Sequence, residues 1–368
     1  MALFFNRISK LSALRDNARF FSSLPQSPYL LLGSNTLRES QEGIIVNHWF
    51  FDPRTVERVY SKEKKLPKEL NGQTLVGAPQ GWVASVGNKD LTVHITDLYK
   101  PCVSSPRVIS LPPLDFKPSI HATEVSLSTC DPAQNDFIVA AKFSECRLSV
   151  CKPYWDAKWT HIETAYSLLP ASDLIYSKRD KAFYFTSFKG LYIGTLDLSN
   201  KKLKYQHLRL RNLPKIPEVG WEILDQCFMS KHLVESTSGE LFFIKWYTQC
   251  IRRPYINKED KDSEYEVIHS ITKRFMVFRE DGKSIDFCYM EDIGDLCIFL
   301  GSMNESFSVS ANMYPGLKPN SIYYIGPGLG SYDLASGTVR PYNPPASGGP
   351  SSSLVRAPFW LHPADPIA

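Results

Sequence analysis

Four groupings in this chain carry functional groups at spacings that chemistry could use. His121 and Glu124, in the run HATE, place a base and a carboxylate three residues apart. Glu291, Asp292 and Asp295 put three carboxylates within five residues, a composition suited to acid–base work or to a hard cation. Gly326, Gly328 and Gly330, in YIGPGLGSYD, imitate a phosphate-cradling loop. Ser306, Ser308 and Ser310 offer three hydroxyls at alternate positions.

Each grouping lacks a part. HATE has no second histidine to complete a zinc set, so a satisfied surface or core pair is the simpler reading. The spacing of Glu291, Asp292 and Asp295 matches no cation-binding loop and reads as a solvated turn around Gly294. Pro327 removes an N–H from the glycine run, and no parallel strand and helix flank it to align the others, so a hairpin connection is expected there. The three serines sit in no GxSxG elbow and alternate like one face of a strand. Eight cysteines stand at 102, 130, 146, 151, 227, 250, 288 and 297, without a CxxC pair, and read as reduced thiols. The reading assigns no catalytic residue, cofactor or metal and expects no enzymatic activity.

The elements around these residues repeat. A strand-like run, a polar turn with aspartate and a second strand-like run recur at Asp52, Asp97, Asp156, Asp197, Asp281 and Asp333, at intervals of 45, 59, 41, 84 and 52 residues. Repeats of about 40 to 50 residues built from strands alone point to β-propeller blades. The expectation is an all-β, kelch-like propeller of six blades, seven also being compatible. Stretches such as 137–143 and 241–247 are continuously apolar, as in sheets covered on both faces. The long interval has a local cause in YTQCIRRPYINKEDKDSEYEVIHS at 247–270, a charged insertion expected as a projecting loop. If the chain has a partner of its own, Arg252, Arg253, Tyr255, Lys258 and Asp260 in that insertion are where contact is expected. Beyond residue 343 the chain turns rich in Pro, Gly and Ser, yet it carries Phe359 and Trp360, which are expected to dock back onto the propeller.

The first 23 residues, MALFFNRISKLSALRDNARFFSS, read as a targeting peptide. Arg7, Lys10, Arg15 and Arg19 oppose a single acid, Asp16, and Phe4, Ile8, Leu11 and Leu14 form an apolar stripe on a helix. The sequence Arg19, Phe20, Phe21, Ser22 resembles a plant matrix-processing site, with cleavage expected ahead of Ser22. Mitochondrial import, with the matrix as destination, is therefore expected, a chloroplast peptide being the alternative. The chain carries +4 and residues 1–21 carry +3 (four bases, one acid), which leaves +1 for the remainder. That near-neutral remainder argues against a nucleic-acid surface. Its basic groupings, Lys62 to Lys68, Lys178 to Lys181 and Lys201 to Lys204, are interleaved with Glu63, Glu69 and Asp180. No run approaches the roughly 18 apolar residues of a transmembrane helix.

Several segments together resemble the plant KIB-type β-propeller family, a domain-of-unknown-function group related to kelch-like F-box proteins. They are Gly81, Trp82 and Val83; Leu111 to Leu114; His232 to Glu235; Ile293, Gly294 and Asp295; and Gly301, Asn304, Ser306, Phe307 and Ser308 with Pro315, Gly316 and Leu317. Pro358 and Trp360 resemble the family's C-terminal end. The resemblance implies a propeller over residues 27–343, preceded by a transit peptide over 1–21 and followed by a linker and docking segment over 344–368. Many relatives begin with an F-box of about 40 residues. Only about 20 precede the first strand here, so no ubiquitin-ligase adaptor is expected. What remains resembles an organellar branch without that module and without an established activity; the role expected of this chain is binding of an unknown protein partner, the alternative being a small-molecule-binding or hydrolytic propeller that uses channel-facing acids.

Overall fold

A computed structural model describes residues 20–21, 27–40, 43–75, 77, 81–87, 92–100, 106–114, 122–129, 136–143, 147–163, 173–186, 191–198, 202–256, 264–282, 286–301, 305–342 and 357–363. Their strands form six sheets of four to six strands. In chain order, blade 1 is Tyr29–Ser40, Gly43–Asp52 and Glu57–Ser61, with Lys64–Leu66 alongside. Blade 2 runs from Gln73–Leu75 to Val108–Leu111, blade 3 from Ala122–Leu127 to Thr160–Ile162, and blade 4 from Leu174–Ser177 to Lys202–His207. Blade 5 is Phe228–Glu235, Leu241–Ile256, Glu264–Glu280 and Asp286–Met290, and blade 6 spans Leu296–Leu300 to Thr338–Pro341. The fold is an all-β propeller of six blades.

The ring closes through its two ends. Phe359–Leu361 pairs antiparallel with Tyr29–Leu31, which makes the C-terminal segment the innermost strand of blade 1. Trp360 is fully buried there and donates its indole N–H to the Leu300 carbonyl of blade 6 at 3.0 Å.

Buried apolar side chains fall into six clusters, one at each junction between neighbouring blades. Successive side chains of a strand point to opposite faces, so each strand serves two junctions at once. Leu31 and Phe50 pack toward blade 2 while Leu30 and Phe51 pack toward blade 6. Phe242, Ile244 and Trp246 face blade 6, and Phe243 and Tyr247 face blade 4. This division is the reason the strands read as continuously apolar.

All six turn aspartates occupy one structural position, the turn into the last antiparallel strand of each blade. Their side chains tie the turn in different ways. Asp52 accepts from the Arg54 N–H at 2.9 Å, Asp97 from Arg107 at 2.7 Å, Asp156 from Lys152 at 2.8 Å and Asp333 from Ser336 at 2.8 Å.

Two features differ from the sequence reading. The insertion expected as an aperiodic loop is instead a β-ribbon: the second and third strands of blade 5 pair, with one register shift between Tyr247 and Thr248, out to Ile256 and Glu264. A cross-strand ladder satisfies the backbone groups of such a projection better than an irregular loop does. The second is a helix, Glu218–Asp225, entered after Pro217 and packed through Leu224 against the blade 4–5 junction.

Candidate functional site

The innermost strands contribute polar side chains to the axis, and these join into one buried network. Glu305, in the lead into blade 6, accepts from the Ser126 hydroxyl of blade 3 at 3.2 Å and from the Tyr176 N–H of blade 4 at 3.2 Å. Glu124 lies opposite Lys142 in the blade 3 register and pairs with its ammonium at 2.9 Å. Asp173, just before blade 4, accepts at Oδ2 from His232 Nδ1 at 3.0 Å, from the Ser306 hydroxyl at 3.1 Å and from the Leu233 N–H at 3.2 Å. On the far side of the imidazole, Ser230 Oγ stands 3.0 Å from His232 Nε2.

Burial dominates the electrostatics. It pushes the Glu305 carboxyl up to about 8; the Tyr176 N–H, Ser126 and Lys178 pull it back, and the Glu124 charge adds to the rise. Glu124 is raised for the same first reason, with Lys142 opposing and Asp173 reinforcing. Burial thus favours the protonated form of Glu305, the carboxyl that ties blades 3, 4 and 6 together across the axis.

Above this network lies a cavity of about 520 Å³ lined by Tyr176, Lys178, Glu235, Ser236, Glu305 and Phe307 among others. Glu235 Oε1 accepts from the N–H groups of Lys178 and Arg179 at 2.9 and 3.3 Å. Arg179 closes the wall, bonding Asp180 at 2.7 Å, Glu280 at 2.6 Å and the Gly239 carbonyl at 3.2 Å.

On the opposite rim stands the ribbon. The first strand of blade 5 ends its pairing at Phe228 with Thr248, so residues 249–256 and 264–271, eight on each strand, continue as two strands alone. At about 3.4 Å per residue this projects roughly 27 Å. Arg252, Arg253 and Tyr255 lie in its backbone, with Tyr255 opposite Tyr265 and Arg253 opposite Val267. Lys258 and Asp260 lie outside the described residues.

The other expectations resolve locally. His121 lies outside the described residues, and Glu124 takes Lys142 as its partner. Asp292 accepts from the Gly294 N–H at 2.7 Å where Gly294 holds φ +64°, and Asp295 accepts from Ser310, so this trio builds a turn. Gly326 and Gly328 flank the hairpin between Ser321–Gly326 and Gly328–Asp333, as expected. Ser306 and Ser308, read as strand structure, also line the cavity. Phe21 belongs to the two-residue strand Phe20–Phe21, paired parallel with Tyr60 and Ser61, whereas Arg19 and Ser22 lie outside the described residues.

Sequence reasoning missed Asp173, Ser230, Glu305 and the helix. Asp173 and His232 are 59 residues apart, and Glu305 and Ser126 are 179 apart, so no local spacing could announce either contact. Among the described residues no group of three or more His, Cys, Asp and Glu is placed to hold a metal ion. No helix among them is long and apolar enough to cross a membrane.

No curated protein matches the chain. The KIB1-4 β-propeller family matches it over residues 50–343, from within blade 1 to the end of blade 6. With six blades closed around one axis and a match over most of its length, the chain belongs to the KIB1-4 β-propeller family.

Proposed function

We propose that this protein is a non-catalytic, protein-binding propeller of the mitochondrial matrix, and that it engages its partner through the blade 5 ribbon. The observation that carries the reading is the eight-residue continuation of both central strands beyond their sheet. An isolated two-stranded ribbon is marginally stable in water and presents unpaired edge groups, so it is costly to maintain unless something docks on it. The basic, acid-poor peptide at 1–21 supports import. Affinity purification of the full-length protein from isolated mitochondria is expected to return a reproducible protein partner, lost when residues 250–269 are replaced by a two-residue turn. Recovery of a metabolite with no protein, or capture unchanged without the ribbon, sinks the reading. N-terminal sequencing of the organellar protein is expected to begin at Ser22; an intact Met1 terminus overturns the import proposal.

A second reading, hydrolysis at the axis, is favoured by the line Ser230–His232–Asp173 at 3.0 Å and 3.0 Å. In that reading Ser230 Oγ attacks an acyl carbonyl, His232 Nε2 takes the proton and returns it to the leaving group, and Asp173 holds Nδ1–H. The cavity reaches Ser306 on the other side of Asp173 and is not lined by Ser230, which favours a structural role for the line. A fluorophosphonate probe that labels Ser230 would install hydrolysis in place of pure binding; a full-length protein that stays unlabelled removes it.

A further inference from the structure

The helix Glu218–Asp225 and its flanks form a second exposed surface at the rim from which the ribbon departs. Of the twelve large hydrophobic side chains that stand exposed among the described residues, four fall between 213 and 228: Leu213 at 53%, Val219 at 65%, Ile223 at 46% and Phe228 at 57%. Val219 and Ile223 are four apart and share one helix face, while Leu224 turns the opposite way into the blade 4–5 junction. The helix thus has two apolar stripes, of which one is covered.

Beside the uncovered stripe runs a row of charge. Glu218, Glu222 and Asp225 recur at i, i+4 and i+7, about 100° around the helix from Val219 and Ile223, and all three are exposed. Residues 213–228 hold these three acids and one base, Lys215, a balance of −2. The Cys227 thiol lies 3.3 Å from the Ile223 carbonyl, which keeps the chain against the last turn as it enters Phe228. Phe228 in turn pairs with Thr248, the residue before the ribbon.

We propose that this surface docks a basic amphipathic helix of the partner protein, its apolar stripe on Val219, Ile223 and Phe228 and its lysines or arginines along Glu218, Glu222 and Asp225. The inference rests on the protein-binding reading and adds the chemistry of the bound segment. An apolar stripe flanked by carboxylates discriminates by sign: it attracts a cationic helix and repels an acidic helix or an anionic bilayer. Its place at the foot of the ribbon lets one partner touch both.

The test uses the full-length protein and an 18-residue helical peptide of leucines at i, i+3, i+4 and i+7 with lysines elsewhere. Binding is read by calorimetry at low salt. We expect binding that falls about tenfold or more in Val219→Ser/Ile223→Ser and in Glu218→Lys/Glu222→Lys, the latter gaining affinity for the matching leucine–glutamate peptide. Circular dichroism is expected to show both double variants folded, since every substituted position is exposed. Equal binding of a peptide of the same composition with its leucines scattered, or no loss in either variant, overturns the proposal. So does sedimentation with phosphatidylcholine–cardiolipin vesicles, or self-association, that disappears in Val219→Ser/Ile223→Ser. If the partner is captured undiminished by Val219→Ser/Ile223→Ser but lost on removing the ribbon, this inference fails while the protein-binding reading stands. Capture that survives removal of the ribbon sinks that reading instead.

Discussion

Glu305 of blade 6 and Ser126 of blade 3, on opposite sides of a six-bladed ring, are joined by a 3.2 Å hydrogen bond across the axis. The centre of this propeller is therefore bridged by a side chain. The bridging carboxyl is held near pH 8 by burial, within a field of Glu124 and Lys178.

That bridge fixes a pH dependence. Below pH 4.5 both the folded and the unfolded chain hold the Glu305 proton; between 4.5 and about 8 only the folded chain does. Folding stability contributed by this group is thus full below 4.5 and is lost as pH rises through 8, by at most about 1.4 kcal/mol per pH unit. Glu124 acts in the same direction. Buried His48, depressed to about 3 by burial first and then by Lys64, acts oppositely: its contribution is present above 6.5 and lost as pH falls. Urea denaturation between pH 6.5 and 9 should show a slope that Glu305→Gln flattens. Parallel curves would mean that Glu305 is ionised in the folded state.

Asp173 is a junction of three donors. Asp173→Ala leaves His232, Ser306 and the Leu233 N–H without their shared acceptor and should cost about 3 kcal/mol, against about 1 for Ser306→Ala. The two midpoints in denaturant, compared at equal slope, check the ratio.

Gly194 stands directly opposite Phe185 in blade 4, and a Cβ there would lie 2.0 Å from the ring. Gly194→Ala should destabilise the protein by about 1–3 kcal/mol, through overpacking rather than backbone strain. Phe185→Leu in the same chain should recover part of the loss, measured as a double-mutant cycle.

Closure of the ring depends on Trp360. Its indole is fully buried, 5.1 Å edge-on from the Phe299 ring and bonded to Leu300. Trp360→Ala should cost about 3–5 kcal/mol in thermal or urea unfolding. A truncation before Pro358 removes the innermost strand of blade 1 and should leave a chain that binds hydrophobic dye or aggregates.

Replacing residues 250–269 by a two-residue turn should leave the midpoint of unfolding almost unchanged, because the packed part of blade 5 ends at Thr248 and Thr272, where Trp246 donates to Thr272 at 3.0 Å. A large fall in the midpoint would mean that the ribbon packs on the ring.

Much of the fold is legible one residue at a time. The turn aspartates mark the last hairpin of each blade because a carboxylate is the side chain that can hold a tight turn's N–H groups, as at Asp52 and Asp333. Phe359 and Trp360 announce a packed end because large aromatics are seldom left in water. The ribbon was not legible, since charged residues interrupt its strand pattern and its ladder depends on pairing between strands rather than on burial. The helix was missed because it is only eight residues long and its apolar residues, Val219 and Ile223 exposed and Leu224 buried, fall on two faces rather than in one stripe.

The sequence by itself determined the all-strand repeat, the apolar strands that serve two junctions and the basic, acid-poor composition of residues 1–21, because each is written in local pattern; the closed ring settled six blades over seven. Only the tertiary structure decided what meets at the axis. His232 finds Asp173, and Glu305 finds Ser126, through the circular closure of six sheets, which brings residues far apart in the chain to a common centre. Whether an acid there is a charge or a neutral bridge follows from burial, a property of the closed ring and of no segment within it.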